Sequence, residues 1–186
     1  NMANIIFMGS PAFAVESLAL IKKAGHFISA VVTVPDKPAG RKLKLRSSAV
    51  KDYAVENNLN VLQPNNLNDP NFIDELKSYN PDLIVVVAFQ KLPKCVWSIP
   101  KYGTFNVHAS LLPDYRGAAP INHAIINGES ETGVTTFFLD ENIDTGKIIL
   151  QEKTKIGEEE TFGQLYERLK VLGAELCVKT IDNIIK

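Results

Sequence analysis

A continuous apolar run, L-I-V-V-V-A, occupies residues 83–88 between polar neighbours. Such a run is typical of a strand that is buried on both faces, as in the centre of a parallel sheet. Strands are also predicted at residues 4–8, 27–34 and 103–108, and helical patterns lie between them. This alternation predicts an α/β fold, namely a Rossmann-like open, mostly parallel sheet with helices on both faces.

The C-terminal third predicts two further strands, at residues 134–139 and 148–151, that are close enough to form a hairpin. A long amphipathic helix is predicted over residues 161–186, with Leu165 and Leu169 on its apolar stripe. Its pattern reaches the last residue without the Gly or Pro signals that usually follow a helix. Both a fragment of a longer protein and a fraying terminus fit this feature.

The composition fits one globular domain, which we expect to span residues 1–186. Hydrophobic residues make up 45% and charged residues 22%, which excludes a disordered tail. No apolar run approaches the roughly 18 residues of a membrane span, and no signal peptide is expected. Cys95 and Cys177 lie in no metal-ligand spacing, so we expect reduced, at least partly buried thiols in a cytoplasmic protein.

A basic segment, P-D-K-P-A-G-R-K-L-K-L-R-S-S, occupies residues 35–48. The net charge of the chain is −1, so this local excess sits on an acidic remainder. A mobile basic loop of this kind suggests a phosphate-bearing partner, and a solvated charged loop is the alternative. Its five cations are Lys37, Arg41, Lys42, Lys44 and Arg46.

The segment T-F-N-V-H-A-S-L-L-P-D-Y-R-G at residues 104–117 carries the candidate chemistry. Strand alternation places Asn106 and His108 on one face, about 7 Å apart, at the carboxyl end of a strand. Open α/β sheets bind ligands there. An Asn amide can stabilise an oxyanion, and His can move a proton near neutral pH. A solvated edge strand or a structural histidine is the alternative.

The other candidates are weaker. His26 is expected at the surface, and His123 is expected to be structural or peripheral within a helix. The loop D-E-N-I-D-T-G at residues 140–146 contains Asp144, which could fix the tautomer of a nearby histidine, although a solvated polar loop is the alternative. The loop lacks the remaining ligands of a calcium site, so no metal is predicted. The sequence has neither a G-x-G-x-x-G nor a P-loop spacing, which argues against dinucleotide and nucleoside-triphosphate chemistry.

Several segments together resemble the formyltetrahydrofolate-dependent formyltransferases. The first is N-V-H-A-S-L-L-P-D-Y-R-G-A-A-P-I, and it is followed in order by N-G-E, E-T-G-V-T and I-D-T-G, at residues 106–121, 127–129, 131–135 and 143–146. The stretches F-M-G-S-P-A-F-A and P-D-K-P-A-G-R, at residues 7–14 and 35–41, resemble more narrowly the branch of the family that acts on methionyl-tRNA. The resemblance runs from about Ile5 to the end of the chain.

The resemblance implies a catalytic trio of Asn106, His108 and Asp144, with 10-formyltetrahydrofolate as co-substrate and no metal. It implies initiator methionyl-tRNA as the acceptor, contacted by the five cations of the basic segment. It also implies a second, tRNA-binding domain that this chain does not contain, and we expect a monomer. The implied folate-binding residues are Ser110, Leu111, Leu112 and Pro113, together with Phe89 and Leu92.

One departure and two alternatives accompany this resemblance. Residues 88–93 read A-F-Q-K-L-P, which is shorter than the family's A-Y-G-x-I-L-P-like stretch and lacks its Gly. A formyltransferase acting on glycinamide ribonucleotide or an amino-sugar nucleotide would share the same trio, and the basic segment favours tRNA over these acceptors. A non-catalytic RNA-binding module leaves the trio unexplained.

Overall fold

The computed structural model describes residues 1–42, 44–141 and 146–186. Strands and helices alternate through most of the chain, as the sequence predicts. The elements are β1 Asn4–Gly9, α1 Ala12–Lys23, β2 Phe27–Val32, β3 Lys37–Ala39, β4 Lys44–Arg46, α2 Ala49–Glu56, β5 Val61–Leu62, α3 Pro70–Ser78, β6 Leu83–Val87, α4 Lys94–Trp97, β7 Thr104–His108, α5 Pro120–Ile126, β8 Glu131–Phe138, β9 Ile148–Lys155 and α6 Phe162–Ile184.

A seven-stranded sheet forms the centre of the fold, in the order β5-β2-β1-β6-β7-β8-β9. The five strands from β5 to β7 are parallel, and β8 and β9 add antiparallel pairs at one side. Every residue of β6 is buried, as expected for an apolar strand covered on both faces. The predicted mostly parallel α/β sheet is therefore confirmed.

Alternate residues of the central strands supply two separate cores. Phe7, Val85 and Phe105 belong to the core on the first face, which α1, α2 and α6 cover. Ile6 and Ile84 belong to the core on the second face, beneath α3 and α4. This division follows from the two-residue period of a strand, which sends neighbouring side chains to opposite faces.

The long helix α6 is fixed at its start by side-chain hydrogen bonds. Thr161 and Gln164 form a capping box that satisfies exposed backbone N–H groups of the first turn. Arg168 donates from Nε to Glu160 Oε2 at 2.7 Å and from Nη2 to Glu160 Oε1 at 2.9 Å. It also donates to Thr154 Oγ1 at 2.7 Å and to the carbonyl oxygen of Lys155 at 2.7 Å. Arg168 therefore joins α6 to the end of β9.

The structure corrects two expectations about single side chains. His26 is buried, not at the surface, because the last turns of α6 cover it. Its Nδ1 atom accepts a hydrogen bond from the Ala3 N–H at 3.0 Å, and its Nε2 atom lies 3.1 Å from Asp182 Oδ1. Cys95 is exposed, although Cys177 is buried as expected, and burial raises the pKa of the Cys177 thiol.

Secondary structure also extends beyond its predicted limits. The basic segment, expected to be a loop, contains the antiparallel pair β3–β4, in which Lys37 pairs with Arg46. We call residues 37–42 and 44–46 the basic hairpin. Strand β9 continues to Lys155, four residues past its predicted end. Within the described ranges, no helix is long and apolar enough to cross a membrane.

Candidate functional site

A cavity of about 710 Å³ opens at the carboxyl edge of the sheet. The chain leaves β1 toward β2 and β5 on one side and later returns to β6 and β7 on the other. The cavity lies at this change of direction, since Ser10 after β1, Ala88 after β6 and Asn106 in β7 all line it. Open α/β sheets bind ligands at such a switch point, so the cavity is the candidate active site.

The cavity has two apolar parts, one on each face of the sheet. The first, which we call the Phe89 lobe, is formed by Phe89, Leu92, Trp97 and Leu139, side chains that pack on the core of the second face. The other, which we call the aromatic lobe, is formed by Phe13, Phe162 and Tyr166 on the first face. In the aromatic lobe, the ring centroid of Tyr166 lies 5.6 Å from that of Phe13 and 5.7 Å from that of Phe162.

Asn106 lies in β7 opposite Val86 of β6 and Phe137 of β8. Its side chain lines the cavity on the face of the Phe89 lobe. Among the described residues, its Oδ1 atom is buried and has no hydrogen-bond partner. Because a buried polar atom without a partner is rare, this oxygen is available to accept a hydrogen bond from a group that enters the cavity.

His108 lies two residues further along β7, so it shares the face of Asn106. Its Nε2 atom lies 2.8 Å from the carbonyl oxygen of Tyr115, an acceptor, so Nε2 carries a proton. The ring also packs edge-on against Phe137, with ring centroids 6.5 Å apart. The remaining ring nitrogen, Nδ1, is therefore the atom that His108 can offer to a substrate. Asn106 and His108 thus lie on one face, as predicted, and their joint catalytic role stays a prediction.

The loop after β7 is held by Tyr115, whose φ of 55° is in the left-handed region. The Tyr115 hydroxyl donates to Glu129 Oε1 at 2.8 Å and accepts from Asn127 Nδ2 at 3.0 Å. Its ring stacks on His123, which agrees with the structural role expected for that histidine. Asn127 acts to lower the pKa of the phenol, but Glu129, desolvation and Asp114 outweigh it and raise the pKa. These contacts bring residues 117–122 to the cavity wall.

Residues 110–113 lie beneath this loop and do not line the cavity. The Ser110 hydroxyl donates to the carbonyl oxygen of Asp114 at 2.7 Å. Thr135 Oγ1 donates to the Ser110 carbonyl at 2.6 Å and accepts from the Leu112 N–H at 3.1 Å. These residues therefore anchor the loop to β8, and direct folate contact by Ser110, Leu111, Leu112 and Pro113 stays a prediction. Phe89 and Leu92 do line the cavity.

Asp144, the third member of the predicted trio, lies outside the described residues. The described part of the chain contains no group of three or more His, Cys, Asp or Glu side chains that could hold a metal ion. Sequence reasoning missed the aromatic lobe. The helical spacing of Phe162 and Tyr166 was the available signal, but it indicates only an apolar helix face.

The cations of the basic hairpin point away from the body of the protein. All five side chains are exposed, and within the described residues none of them makes a salt bridge. The hairpin begins three residues after Val34, which lines the cavity. Its charges are therefore free to bind an anionic partner beside the cavity. They are Lys37, Arg41, Lys42, Lys44 and Arg46.

Residues 2–181 match a protein family described as Formyl transferase. The chain belongs to this family. It is 57% identical to a methionyl-tRNA formyltransferase of Porphyromonas gingivalis over 96% of this chain and 55% of that protein. It is 56% identical to a methionyl-tRNA formyltransferase of Flavobacterium psychrophilum over 97% of this chain and 57% of that protein. The chain thus spans about half the length of these curated relatives.

Solved structures share the fold. The phosphoribosylglycinamide formyltransferase of Streptococcus pneumoniae TIGR4 superposes with a TM-score of 0.84 over 100% of both chains, at 17% identity. WlaRD, a sugar 3N-formyl transferase solved in the presence of dTDP and 5-N-formyl-THF, gives a TM-score of 0.71 at 27% identity. That match covers 100% of this chain and 64% of WlaRD.

Proposed function

We propose that this chain transfers the formyl group of 10-formyltetrahydrofolate to the amino group of methionyl initiator tRNA. The observation that carries the proposal is the Asn106 side chain, whose Oδ1 atom has no hydrogen-bond partner among the described residues, beside His108 in a cavity whose wall reaches the base of the basic hairpin. The relatives that are more than half identical carry the name of this activity. An adjoining tRNA-binding domain, and action as a cytoplasmic monomer, belong to the same proposal.

The Phe89 lobe is the proposed site of the folate ring system. Phe89 and Trp97 offer aromatic faces, and Leu92 and Leu139 complete an apolar slot that suits a flat heterocycle. Asn106 and His108 lie on the same face of the sheet, so a formyl group attached to the folate would be near both. Ser110, Leu111, Leu112 and Pro113 support this position from beneath the loop. The WlaRD structure, obtained with a formyl-folate, is consistent with this kind of donor.

The aromatic lobe is the proposed site of the acceptor's amino-acid side chain. Helix α2 packs on the first face and begins directly after the basic hairpin, so a tRNA end bound there arrives on the side of Phe13 and Tyr166. A methionine thioether makes favourable contacts with aromatic rings. The two substrates would then meet at the sheet edge from opposite faces.

The proposed reaction is a nucleophilic acyl transfer. The acceptor amine forms a bond to the formyl carbon, and the carbonyl electron pair moves to oxygen. The Asn106 Nδ2–H group and a proton on His108 Nδ1 donate to the oxyanion and stabilise it; the His108 proton comes from Nδ1 because Nε2 is engaged with the Tyr115 carbonyl oxygen. Asp144 is proposed to orient His108 and to accept the proton of the amine. When the oxyanion collapses, the bond to folate N10 breaks and that nitrogen takes the proton of His108 Nδ1, which Asp144 replaces with the proton it accepted from the amine. The products are formyl-methionyl-tRNA and tetrahydrofolate.

The decisive experiment compares three acceptors with the same formyl donor: charged initiator tRNA, glycinamide ribonucleotide and an amino-sugar nucleotide. We expect formyl transfer to the tRNA alone. Preferred transfer to either small acceptor would overturn the assignment of the acceptor. Folate binding without transfer to any of the three would favour a non-catalytic role.

A second experiment tests the cations of the basic hairpin. Arg41→Ala should raise KM for the charged tRNA about tenfold and leave folate affinity unchanged, because phosphate contacts carry much of the affinity for nucleic acid. Lys153→Ala removes an exposed cation from β9 and is the matched control. Equal effects of the two substitutions would show that net charge, and not the hairpin, determines tRNA binding.

A further inference from the structure

The entry into the basic hairpin is held by a carboxylate. Asp36 Oδ2 accepts from Lys51 Nζ at 2.6 Å, and Asp36 Oδ1 accepts from Gln63 Nε2 at 2.8 Å. The Gln63 amide also donates to the carbonyl oxygen of Val34 at 3.1 Å. The Lys51 and Gln63 hydrogen bonds hold the pKa of Asp36 below its ordinary value. The carboxylate thus ties the incoming chain to α2 and to the residue after β5.

The exit from the hairpin is also tied to α2, and in addition to the residues that follow β2 and β1. Ser47 donates to Asp52, and Ser48 Oγ caps α2 by accepting from the Lys51 N–H at 3.0 Å. Ser48 Oγ also lies 2.6 Å from Thr33 Oγ1. Thr33 Oγ1 in turn donates to Ser10 Oγ at 3.1 Å. A chain of hydroxyl groups therefore runs from the end of the hairpin to the cavity.

Beyond these two ends the hairpin has little support. Its residues are exposed or partly exposed, and its cations make no salt bridge within the described ranges. Two short strands alone are marginally stable in water. The orientation of the hairpin relative to the cavity must therefore come from its base, where the Asp36 and Lys51 side chains are each only 24% exposed.

We propose that Asp36 is a positioning residue, which acts through Lys51 and Gln63 to hold the basic hairpin in the orientation that presents its cations to a tRNA end entering the cavity. This inference rests on the proposed function. It assigns a role in substrate recognition to a negative charge within the most basic segment of the chain.

The direction in which Asp36→Asn changes the affinity for tRNA distinguishes a positioning role from a simple electrostatic one. Asp36→Asn removes a negative charge and leaves Lys51 without its counter-charge, so the surface becomes more positive. Electrostatics alone then predicts tighter binding of an anionic RNA. Positioning predicts weaker binding, because the cations lose their fixed orientation.

The test uses Asp36→Asn with two readouts, namely amide hydrogen exchange across residues 37–46 and KM for charged initiator tRNA. We expect exchange in the hairpin to be about tenfold faster, because less free energy is then needed to open it. KM for tRNA should rise about tenfold while kcat stays within about twofold, as when binding is lost equally in ground and transition states. Asp36→Glu, which keeps the carboxylate, should restore both values to within about twofold of wild type.

Glu167→Gln is the matched control, because it removes a carboxylate 2.6 Å from Lys170 on α6, an ion pair outside the hairpin. It should change neither readout. Unchanged hairpin exchange in Asp36→Asn would overturn the inference, and so would faster exchange with an equal or lower KM. If the wild-type protein formylates no tRNA, the proposed function fails and the substrate role of Asp36 fails with it. Faster exchange in the variant would then still establish that Asp36 orders the hairpin.

Discussion

The Nε2 atom of His108 lies 2.8 Å from the carbonyl oxygen of Tyr115. This contact joins the ring of a strand residue to the backbone of the loop that follows it. Because the Tyr115 side chain is itself bonded to Glu129 and Asn127, the orientation of His108 depends on the helix–strand connection beyond α5. The imidazole is thus set by tertiary contacts as well as by its place in β7.

Asn106→Ala removes an amide that lines the cavity. Formyl transfer should fall by about 10²–10³, the usual effect of losing one oxyanion donor. The free energy of unfolding should change little, since the Oδ1 atom has no partner to lose within the described residues. Single-turnover transfer and denaturant unfolding measure the two quantities. His108→Ala should reduce transfer to a similar extent, and near-normal transfer by either variant would contradict the proposed site.

Gly133→Ala should destabilise the antiparallel side of the sheet. An added Cβ atom would meet the carbonyl oxygen of Glu152 and would lie 2.5 Å from Leu111 Cδ2. Overpacking of this kind typically costs about 1–3 kcal/mol, and contact with backbone places this site at the upper end of that range. The measurement is the urea midpoint.

Gly163→Ala is the control for Gly133→Ala, because it adds a Cβ atom where there is space. Its nearest neighbour would be Thr161 Oγ1 at 4.0 Å, and the residue lies in the first turn of α6. Alanine should stabilise the protein by roughly 0.5 kcal/mol, because it restricts the unfolded chain and favours the helix. If both glycine substitutions shift the midpoint equally, the close approach at Gly133 is not the cause.

Ser17→Ala should stabilise the protein. Ser17 is fully buried in α1, and its Oγ atom has no hydrogen-bond partner among the described residues. A buried, unsatisfied hydroxyl costs about 1–3 kcal/mol, so alanine should raise the free energy of unfolding by about 1 kcal/mol.

Thr180→Val removes a buried hydroxyl that, unlike that of Ser17, has hydrogen-bond partners. Its hydroxyl bonds Thr136 Oγ1 at 2.8 Å and the Leu176 carbonyl at 2.7 Å, so its loss should destabilise.

The Glu160–Arg168 pair should give stability that depends on pH. The Arg168 hydrogen bonds hold the pKa of Glu160 below its ordinary value of 4.5. A carboxyl with a lowered folded-state pKa stabilises the protein above the unfolded-state pKa, and this contribution disappears as pH falls through the folded-state value. Glu160→Gln should therefore lower the free energy of unfolding at pH 7. Between pH 5 and pH 3, the free energy of unfolding of this variant should fall by less than that of the wild type. Parallel stability profiles would contradict this linkage.

The elements that carry strong local patterns were predicted from sequence. The apolar run in β6 by itself indicates a strand that is buried on both faces. The alternation of polar and apolar residues in β7 correctly placed Asn106 and His108 on one face. The basic hairpin was expected to be a loop because its strands are short and polar, and they lack the alternation of apolar and polar residues that predicts a strand. The hydrogen bonds at its base join Asp36, Lys51 and Gln63, which lie apart in sequence.

Features that depend on distant packing could not be predicted. His26 follows a glycine in a polar turn, a setting typical of the surface, yet α6 covers it from 156 residues away. The aromatic lobe joins Phe13 of α1 to Tyr166 of α6, and no local pattern connects them. Residues 110–113 carry a recognisable motif, but only the fold shows that they anchor the loop from below.

Helix α6 also constrains how this chain can be made. It is the last of the described elements to leave the ribosome, and it covers the first-face core against α1 at a sequence separation of about 150 residues. Until residue 181 has emerged, Leu18 and Ile21 of α1 lack their main cover. The nascent chain therefore carries an uncovered apolar surface until α6 has been synthesised, and during that time association with chaperones or other nascent chains competes with folding. Pauses in translation near the codons for α6 would lengthen that exposure.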